Sequence, residues 1–473
     1  MQSPAYCLPA AHIALAVLLA GCTVGPDYRP ASPGELHVPG RFQSAAAPGA
    51  RTVDLARWWT RFNDPLLTGL ITTALAANND IDAAGARLRA ARAALRGARG
   101  AQRPAFGATA STNRSAAIAG TDGEGTSYRV GFDASWEADL FGGNRRAVEA
   151  DSAGAGAAEA ELHAVQMAIA AELALNYIDY RRSQASLAHA RANLGYQDET
   201  VQIADWRVQA GLVSALDLEQ ARVLRAQTAA SIPAMETGLA AAAYRIAVLT
   251  GQAPGAGLGQ LGGDQQIPLG PDAIETGLPA QLLQRRPDVI AAERRLAAET
   301  ARIGVATAQL YPALRLSGSL TTGALSLSGL GESMIGTLAR GITAPIFQSG
   351  QIHAQIDGQK ATTQAAFANY RQTVLIALED TENALVALRN ARQREDQLVL
   401  AQGSAQSTLL YARSQYRAGL INFQTLLEAE RSLLSTQDSR TVARAARATA
   451  LVQLYKALGG GWPANDAPEE STL

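Results

Sequence analysis

Few residues in this chain of 473 are spaced for chemistry. Gly257, Gly259 and Gly262 fit the G-x-G-x-x-G turn with which a strand leading into a helix cradles a pyrophosphate. Here the glycines follow a helical pattern, and Asp264 to Pro271 cannot open the required helix, so the segment reads as a flexible linker. His12, His37, His163, His189 and His353 are scattered without metal-ligand spacing, and no cysteine pair assists them. No catalytic constellation stands out, so the reading is a non-enzyme without a cofactor. Lys plus Arg (41) nearly cancels Asp plus Glu (42), which leaves no electrostatic footprint for nucleic acid.

One thiol has a chemical context. Ile13 to Ala20 is an apolar core too short to span a bilayer, and it ends in Leu19-Ala20-Gly21-Cys22, which resembles a bacterial lipoprotein cleavage box. On this reading residues 1–21 are a signal peptide and Cys22 is the acylated first residue of the mature chain. Met1 to His12 departs from the pattern by having no Lys or Arg. Thr23 stands where lipoprotein sorting commonly uses aspartate for inner-membrane retention. With Cys7 removed, Cys22 has no partner for an intramolecular disulfide.

Two short segments are built to reverse a helix. Gly211-Leu212-Val213-Ser214 and Gly419-Leu420-Ile421-Asn422 each place a glycine, two apolar residues and a capping residue in order. The glycine can end one helix in the left-handed conformation, and Ser214 or Asn422 can cap the next. Val213 with Leu218, and Ile421 with Leu426, have the spacing of a hydrophobic staple. The staple either buries Leu212, Leu420 and Phe423 or leaves them as apolar surface for a partner.

The elements that carry these turns are long. A helical pattern runs from about Pro65 to Arg103 and is stopped by Pro104. An Ala-rich segment from about 144 to 210 makes a rod near 100 Å at 1.5 Å per residue. Shorter helices are expected at about 215–249 and 278–311, and a second rod at about 351–418. Leu375, Leu378, Leu385 and Leu388 repeat at three and seven along it.

Strands are expected between the helices. Tyr128, Val130, Phe132, Ala134, Trp136, Ala138 and Leu140 fall on one face of an extended chain, and Arg129, Gly131, Asp133, Ser135, Glu137 and Asp139 fall on the other. That alternation suits lipid on one side and water on the other, or a half-buried strand of a soluble sandwich. Residues 105–113 alternate weakly and complete a hairpin. Leu314, Leu316, Gly318 and Leu320 alternate with Arg315, Ser317, Ser319 and Thr321, and 338–346 alternates less cleanly with Arg340 on the apolar register.

The series occurs twice. Asp80 matches Asp288, Arg87-Leu88 matches Arg295-Leu296, Pro104-Ala105 matches Pro312-Ala313 and Ala210-Gly211-Leu212 matches Ala418-Gly419-Leu420, each at an offset of 208 (288 − 80, 295 − 87, 312 − 104, 418 − 210). The chain is therefore a tandem duplication. It divides into a signal peptide (1–21), a Pro/Gly/Ala-rich arm (22–57), repeat 1 (58–251, hairpin about 105–140, tip about 211–214), a linker (252–274), repeat 2 (275–462, hairpin about 314–347, tip about 419–422) and a tail (463–473). Four strands cannot close a barrel, and an open sheet edge is not tolerated in lipid. Hairpins that cross a membrane therefore require several chains to share one barrel: two would give eight strands, three would give twelve with room for a lumen.

This organisation resembles the outer-membrane factor family, the TolC-type exit ducts, and within it the NodT-like efflux lipoproteins. The residues that carry the resemblance are Trp58 to Leu66 (WWTRFNDPL), Trp136 to Gly142 (WEADLFG), Arg285 to Val289 (RRPDV) and Tyr455 to Trp462 (YKALGGGW). The resemblance implies a mainly α fold with four strands per chain, contributing to a shared twelve-stranded β-barrel in a homotrimer, and a long α-helical barrel in the periplasm. It implies a lipid-anchored protein in the outer membrane that docks on a periplasmic adaptor and an inner-membrane pump of the resistance-nodulation-division type and passes small toxic compounds outward. A duct for protein secretion and a structural outer-membrane lipoprotein are the alternatives. It also implies a closed gate near the tips, where the matching residues are Glu428, Tyr416 and Asp217, with Gly211, Leu212, Ser214, Gly419, Leu420 and Asn422 forming the docking tips. Glu428 could instead pair with Arg431 at i+3, and Ser214-x-x-Asp217 also has the spacing of a capping box. Gln424 stands where some relatives have an apolar residue, which puts a second, hydrophobic ring in doubt.

Overall fold

The computed structural model describes residues 23–44, 55–116, 125–263, 266–271 and 277–463. Cys22 lies outside these residues, as do most of the first hairpin's turn, parts of the linker and the chain after 463. Among the described residues the chain is mostly helical, with four strands. Helices α1 (Pro65–Ala77) and α2 (Asn79–Ala101) precede strands β1 (Ala105–Ser115) and β2 (Gly125–Ala138). Helices α3 (Gly143–Gln209), α4 (Ala215–Leu249) and α5 (Pro287–Ala308) follow, then β3 (Ala313–Ala324), β4 (Met334–Thr343), α6 (Gln351–Arg417) and α7 (Phe423–Ala457). The duplication is visible in the elements: α6 begins and ends 208 residues after α3 (351 − 143, 417 − 209), and α7 does the same after α4 (423 − 215, 457 − 249).

Four boundaries differ from the sequence patterns. The helix expected at about 278–311 runs unbroken only from Pro287 to Ala308, because Arg286 before the proline is extended. The single helix expected from Pro65 to Arg103 breaks at Asn78, which is extended. Its side chain caps α2 through the Asp80 amide at 2.9 Å and donates to the Leu249 carbonyl at 3.0 Å, so a tertiary bond decides the break. Strand β2 stops at Ala138 rather than Leu140, because the Asp139 carboxylate accepts from the amides of Asn144 and Arg145 (3.1 and 2.9 Å) and starts α3. Strand β4 lies at 334–343, earlier than the alternation at 338–346.

The chain folds into two compact units, each taking pieces of both repeats. One contains the described residues up to 32 together with 86–160 and 291–372; the other contains 33–85, 161–290 and 373 onward. The first holds an antiparallel sheet in the order β1-β2-β3-β4. Its register puts Phe132 opposite Ala108 and Leu320, Ala134 opposite Phe106, Trp136 opposite Leu316, and Gly318 opposite Leu338. Opposed residues share a face, so one face is largely apolar, with Arg340 opposite Leu316 and Arg114 near the end of β1 as its charges. The other carries Arg315 paired with Glu137 (3.0 Å), Thr109 with Asp133 (3.3 Å) and Ser319 with Thr337 (2.5 Å). The N-terminal arm crosses the same unit. Buried Arg146 donates to the Val24 and Gly25 carbonyls and pairs with Asp27 at 2.6 Å. A Cβ on Gly25 (φ +92°) would sit 2.4 Å from the Gly304 Cα, so only glycine permits this approach.

In the second unit, three of the sequence blocks that carry the resemblance pack together. Fully buried Trp58 stacks on Tyr455 (centroids 5.4 Å apart) and touches Trp59 and Phe62 edge-on. The Arg285 carbonyl accepts from the Trp462 indole at 3.1 Å, and Arg286 pairs with Asp288 and Asp380 (2.6 and 3.0 Å). Asp64 caps α1 through the Leu66 and Leu67 amides and accepts from the buried Tyr177 hydroxyl at 2.7 Å. Arg181, also fully buried, stacks over Tyr177 and donates to the carbonyls of Leu261 and Gly263, which ties the glycine-rich linker to α3. The linker's Gly257-Gly262 segment is a single helical turn, Leu258–Leu261, not a strand-to-helix cradle. Trp58→Ala is expected to destabilise the protein by about 3–5 kcal/mol, read as a lowered midpoint of thermal unfolding in detergent. Among the described residues no helix is long and apolar enough to cross a membrane.

Candidate functional site

The two helix reversals lie together in the second unit. At the end of α3 the amides of Gly211 and Leu212 donate to the carbonyls of Val208 and Arg207 (3.0 and 2.8 Å); at the end of α6 those of Gly419 and Leu420 donate to Tyr416 and Gln415 (3.0 and 2.9 Å). Gly211 and Gly419 have φ of +72° and +73°, and the paired bonds form a Schellman closure at each tip. The restarts differ chemically. Ser214 and Asp217 form a capping box, the Ser214 amide donating to the Asp217 carboxylate at 3.1 Å and the Asp217 amide to Ser214 Oγ at 3.4 Å. Asn422 instead accepts from both the amide and the hydroxyl of Thr425 (2.9 and 2.7 Å).

Beneath the tips, Leu218, Ala221 and Leu224 of α4 share one core with Leu409 and Tyr416 of α6 and with Phe423, Leu426 and Leu427 of α7. Leu426 is buried and Ile421 packs on this core, whereas Leu212 and Leu420 stand 72% and 75% exposed. Phe423 goes the other way: it is buried against Tyr416, with ring centroids 5.4 Å apart. Of the three expected side chains, Leu212 and Leu420 are thus presented at the tip, and Leu216 at the start of α4 is exposed beside them.

The expected gate residues are placed as follows. Glu428 is exposed on α7 and accepts from Gln424, one turn earlier, at 3.3 Å; Gln424 rather than Arg431 is its partner. Asp217 is half-buried and serves the capping box. Tyr416 is 6% exposed, its hydroxyl has no hydrogen-bond partner, and the Arg207 guanidinium lies 4.4 Å from its ring centre. Within one chain, Tyr416 belongs to the core and not to the surface that carries Glu428.

Sequence reading misses the charged group at the heart of this core. Glu430 of α7 is only 5% exposed; one oxygen accepts from Thr200 of α3 at 3.0 Å and from Arg413 of α6 at 3.4 Å, and the other has no partner. Burial pushes its carboxyl above the usual carboxylate value, against the opposing pull of Thr200 and Arg413. A signal exists: Phe423, Leu426, Leu427, Glu430 and Leu433 follow one helical face, so a charge stands on an apolar register. Beside it, Tyr196, Thr200, Arg207, Arg413 and Tyr416 line a cavity of about 60 Å³, with Arg413 stacked over Tyr196 at 4.9 Å. Such an arrangement positions charge and excludes or admits water; it does not assemble a nucleophile with a base.

Comparison with known proteins settles the family. The profile described as "Outer membrane efflux protein" matches residues 70–252 and again 278–460, and the two matches begin and end 208 residues apart (278 − 70, 460 − 252). The chain belongs to the outer membrane efflux protein family. Nodulation protein T of Rhizobium leguminosarum bv. trifolii is 31% identical to it over 457 residues, covering 94% of this chain and 96% of that protein. The pyoverdine export outer membrane protein OpmQ of Pseudomonas aeruginosa is 31% identical over 470 residues, with 95% and 96% covered. Among solved structures, the outer-membrane channel OprN superposes with a TM-score of 0.86 at 36% identity, covering 93% of this chain and all of that one. Members of this family are channel proteins, and the relatives of this chain are outer-membrane efflux channels.

Proposed function

We propose that three copies of this chain form an outer-membrane exit duct for a tripartite efflux pump. The observation that supports this most directly is the four-stranded sheet, largely apolar on one face and polar on the other, whose outer strands β1 and β4 each pair on one side only. In lipid those edges must be covered, and neighbouring copies offer matching edges. Three chains supply twelve strands and a lumen lined by the polar face. The long helices continue the lumen as a periplasmic tunnel that closes at the paired tips. Glu428 lines the closed end, with Asp217 and Tyr416 helping to hold it, while Leu212 and Leu420 offer apolar surface to a periplasmic adaptor. The inner-membrane partner is a pump of the resistance-nodulation-division type, and the cargo is small toxic compounds. Acylated Cys22 anchors the mature chain in the outer membrane.

A strain lacking the gene tests the cargo class. Efflux predicts sensitisation to several drugs, reversed by restoring the gene. Unchanged drug tolerance with loss of a secreted protein would assign the duct to protein secretion instead.

A further inference from the structure

Glu430 joins three helices through one buried carboxylate. It projects from α7, takes a hydroxyl from Thr200 on α3 and a guanidinium from Arg413 on α6, and keeps one oxygen buried without a partner. The first helical hairpin, α3 with α4, and the second, α6 with α7, are therefore held together at a group that is poorly satisfied when ionised. Nearby, α3 and α6 also meet through the shared apolar core and through two arginine-on-tyrosine contacts, Arg207 over Tyr416 and Arg413 over Tyr196. The cavity walled by Thr200 and Arg413 brings space for water to the two side chains that hold the carboxylate.

We propose that Glu430 is a proton-sensitive positioning residue of the closed tip: protonated, it holds the two hairpins together, and ionised, it loads the closed arrangement toward opening. This deepens the proposed duct and rests on that reading. The charged and titratable groups around Glu430 are Arg413 and Tyr416 on α6, and Tyr196, Arg207 and the exposed Glu199 on α3; α4 brings the apolar Ala221 and Leu224. Of these, Arg413 is the one whose charge acts on the carboxyl, and its side chain is 31% exposed, so water can solvate it when Glu430 is neutral. The direction follows from linkage. Burial raises the carboxyl above its ordinary value, and an opened tip that wets Glu430 returns it there. Protons thus bind the closed tip more tightly, so closure is favoured on the acid side and that advantage is lost as pH rises through the raised value. Each unit of separation between the two titration points changes the closed-to-open ratio up to ten-fold.

The test is single-channel recording of the purified protein in planar bilayers, in a Glu428→Gln background that removes the exposed carboxyl's own titration. Open probability is expected to fall several-fold as pH is lowered from about 7.5 to about 5. Glu430→Gln, neutral at every pH, should stay at the low value throughout and lose the pH dependence. Thr200→Val removes a donor that favours the ionised form, so it should move closure to higher pH. Channels whose pH profile is left unchanged by Glu430→Gln, or which open on acidification, would overturn the proposal while leaving the duct intact. Protein that forms no channel at all, with Glu430 in place, would contradict the duct reading itself.

Discussion

Replacing Glu428 with alanine is expected to raise the conductance of the closed duct and to reduce its preference for cations. Glu428 is exposed on α7 and accepts from Gln424, so the change removes charge without opening a cavity. In a trimer three such carboxylates surround one axis. At about 6 Å from an axial cation, three unit charges in water contribute on the order of 2 kcal/mol before salt screening. A several-fold loss of cation over anion permeability follows, read as a reversal potential moving toward zero in a salt gradient. Both quantities unchanged would remove Glu428 from the gate. Gln424 sharpens the expectation, because an amide one turn away supplies no apolar ring to narrow the duct after the charge is gone.

The second large effect is expected on the sheet. Phe132 is 63% exposed in a single chain and lies on the apolar face, opposite Ala108 and Leu320. Arginine on the lipid side of a transmembrane barrel costs about 2–4 kcal/mol near the bilayer midplane, and a trimer incurs it three times. Phe132→Arg should therefore abolish assembly in the outer membrane, seen as loss of the oligomer in membrane extracts. Thr109→Lys is the matched control. Thr109 lies on the opposite face, where its hydroxyl bonds Asp133, and a lysine there meets a carboxylate facing water. Equal tolerance of both substitutions would contradict the two-faced reading of the sheet.

Much of this organisation is legible in the residues themselves, and the reasons are physical. The helix reversals are encoded locally: a glycine that must take positive φ followed by a short polar cap leaves little alternative. The 208-residue repeat needs only sequence self-comparison, and it reappears in the bounds of α3 and α6. What stays hidden depends on contacts made far along the chain. Asn78 breaks α1 from α2 because Leu249, distant in sequence, offers a carbonyl. The fate of Phe423 is open in the sequence because a staple residue and a docking residue have the same composition; Tyr416 decides it. Glu430 escapes notice beside Glu428, two residues earlier, since a resemblance directs attention to exposed positions, and the donors that hold Glu430 come from two other helices.

The proposed closure of the sheet by copies of this chain makes a conducting duct. It is tested most directly by extracting the protein in mild detergent, measuring its mass, and recording its conductance in a planar bilayer. The expected result is the mass of three chains with steady ion conduction; a monomer that conducts nothing would contradict the duct.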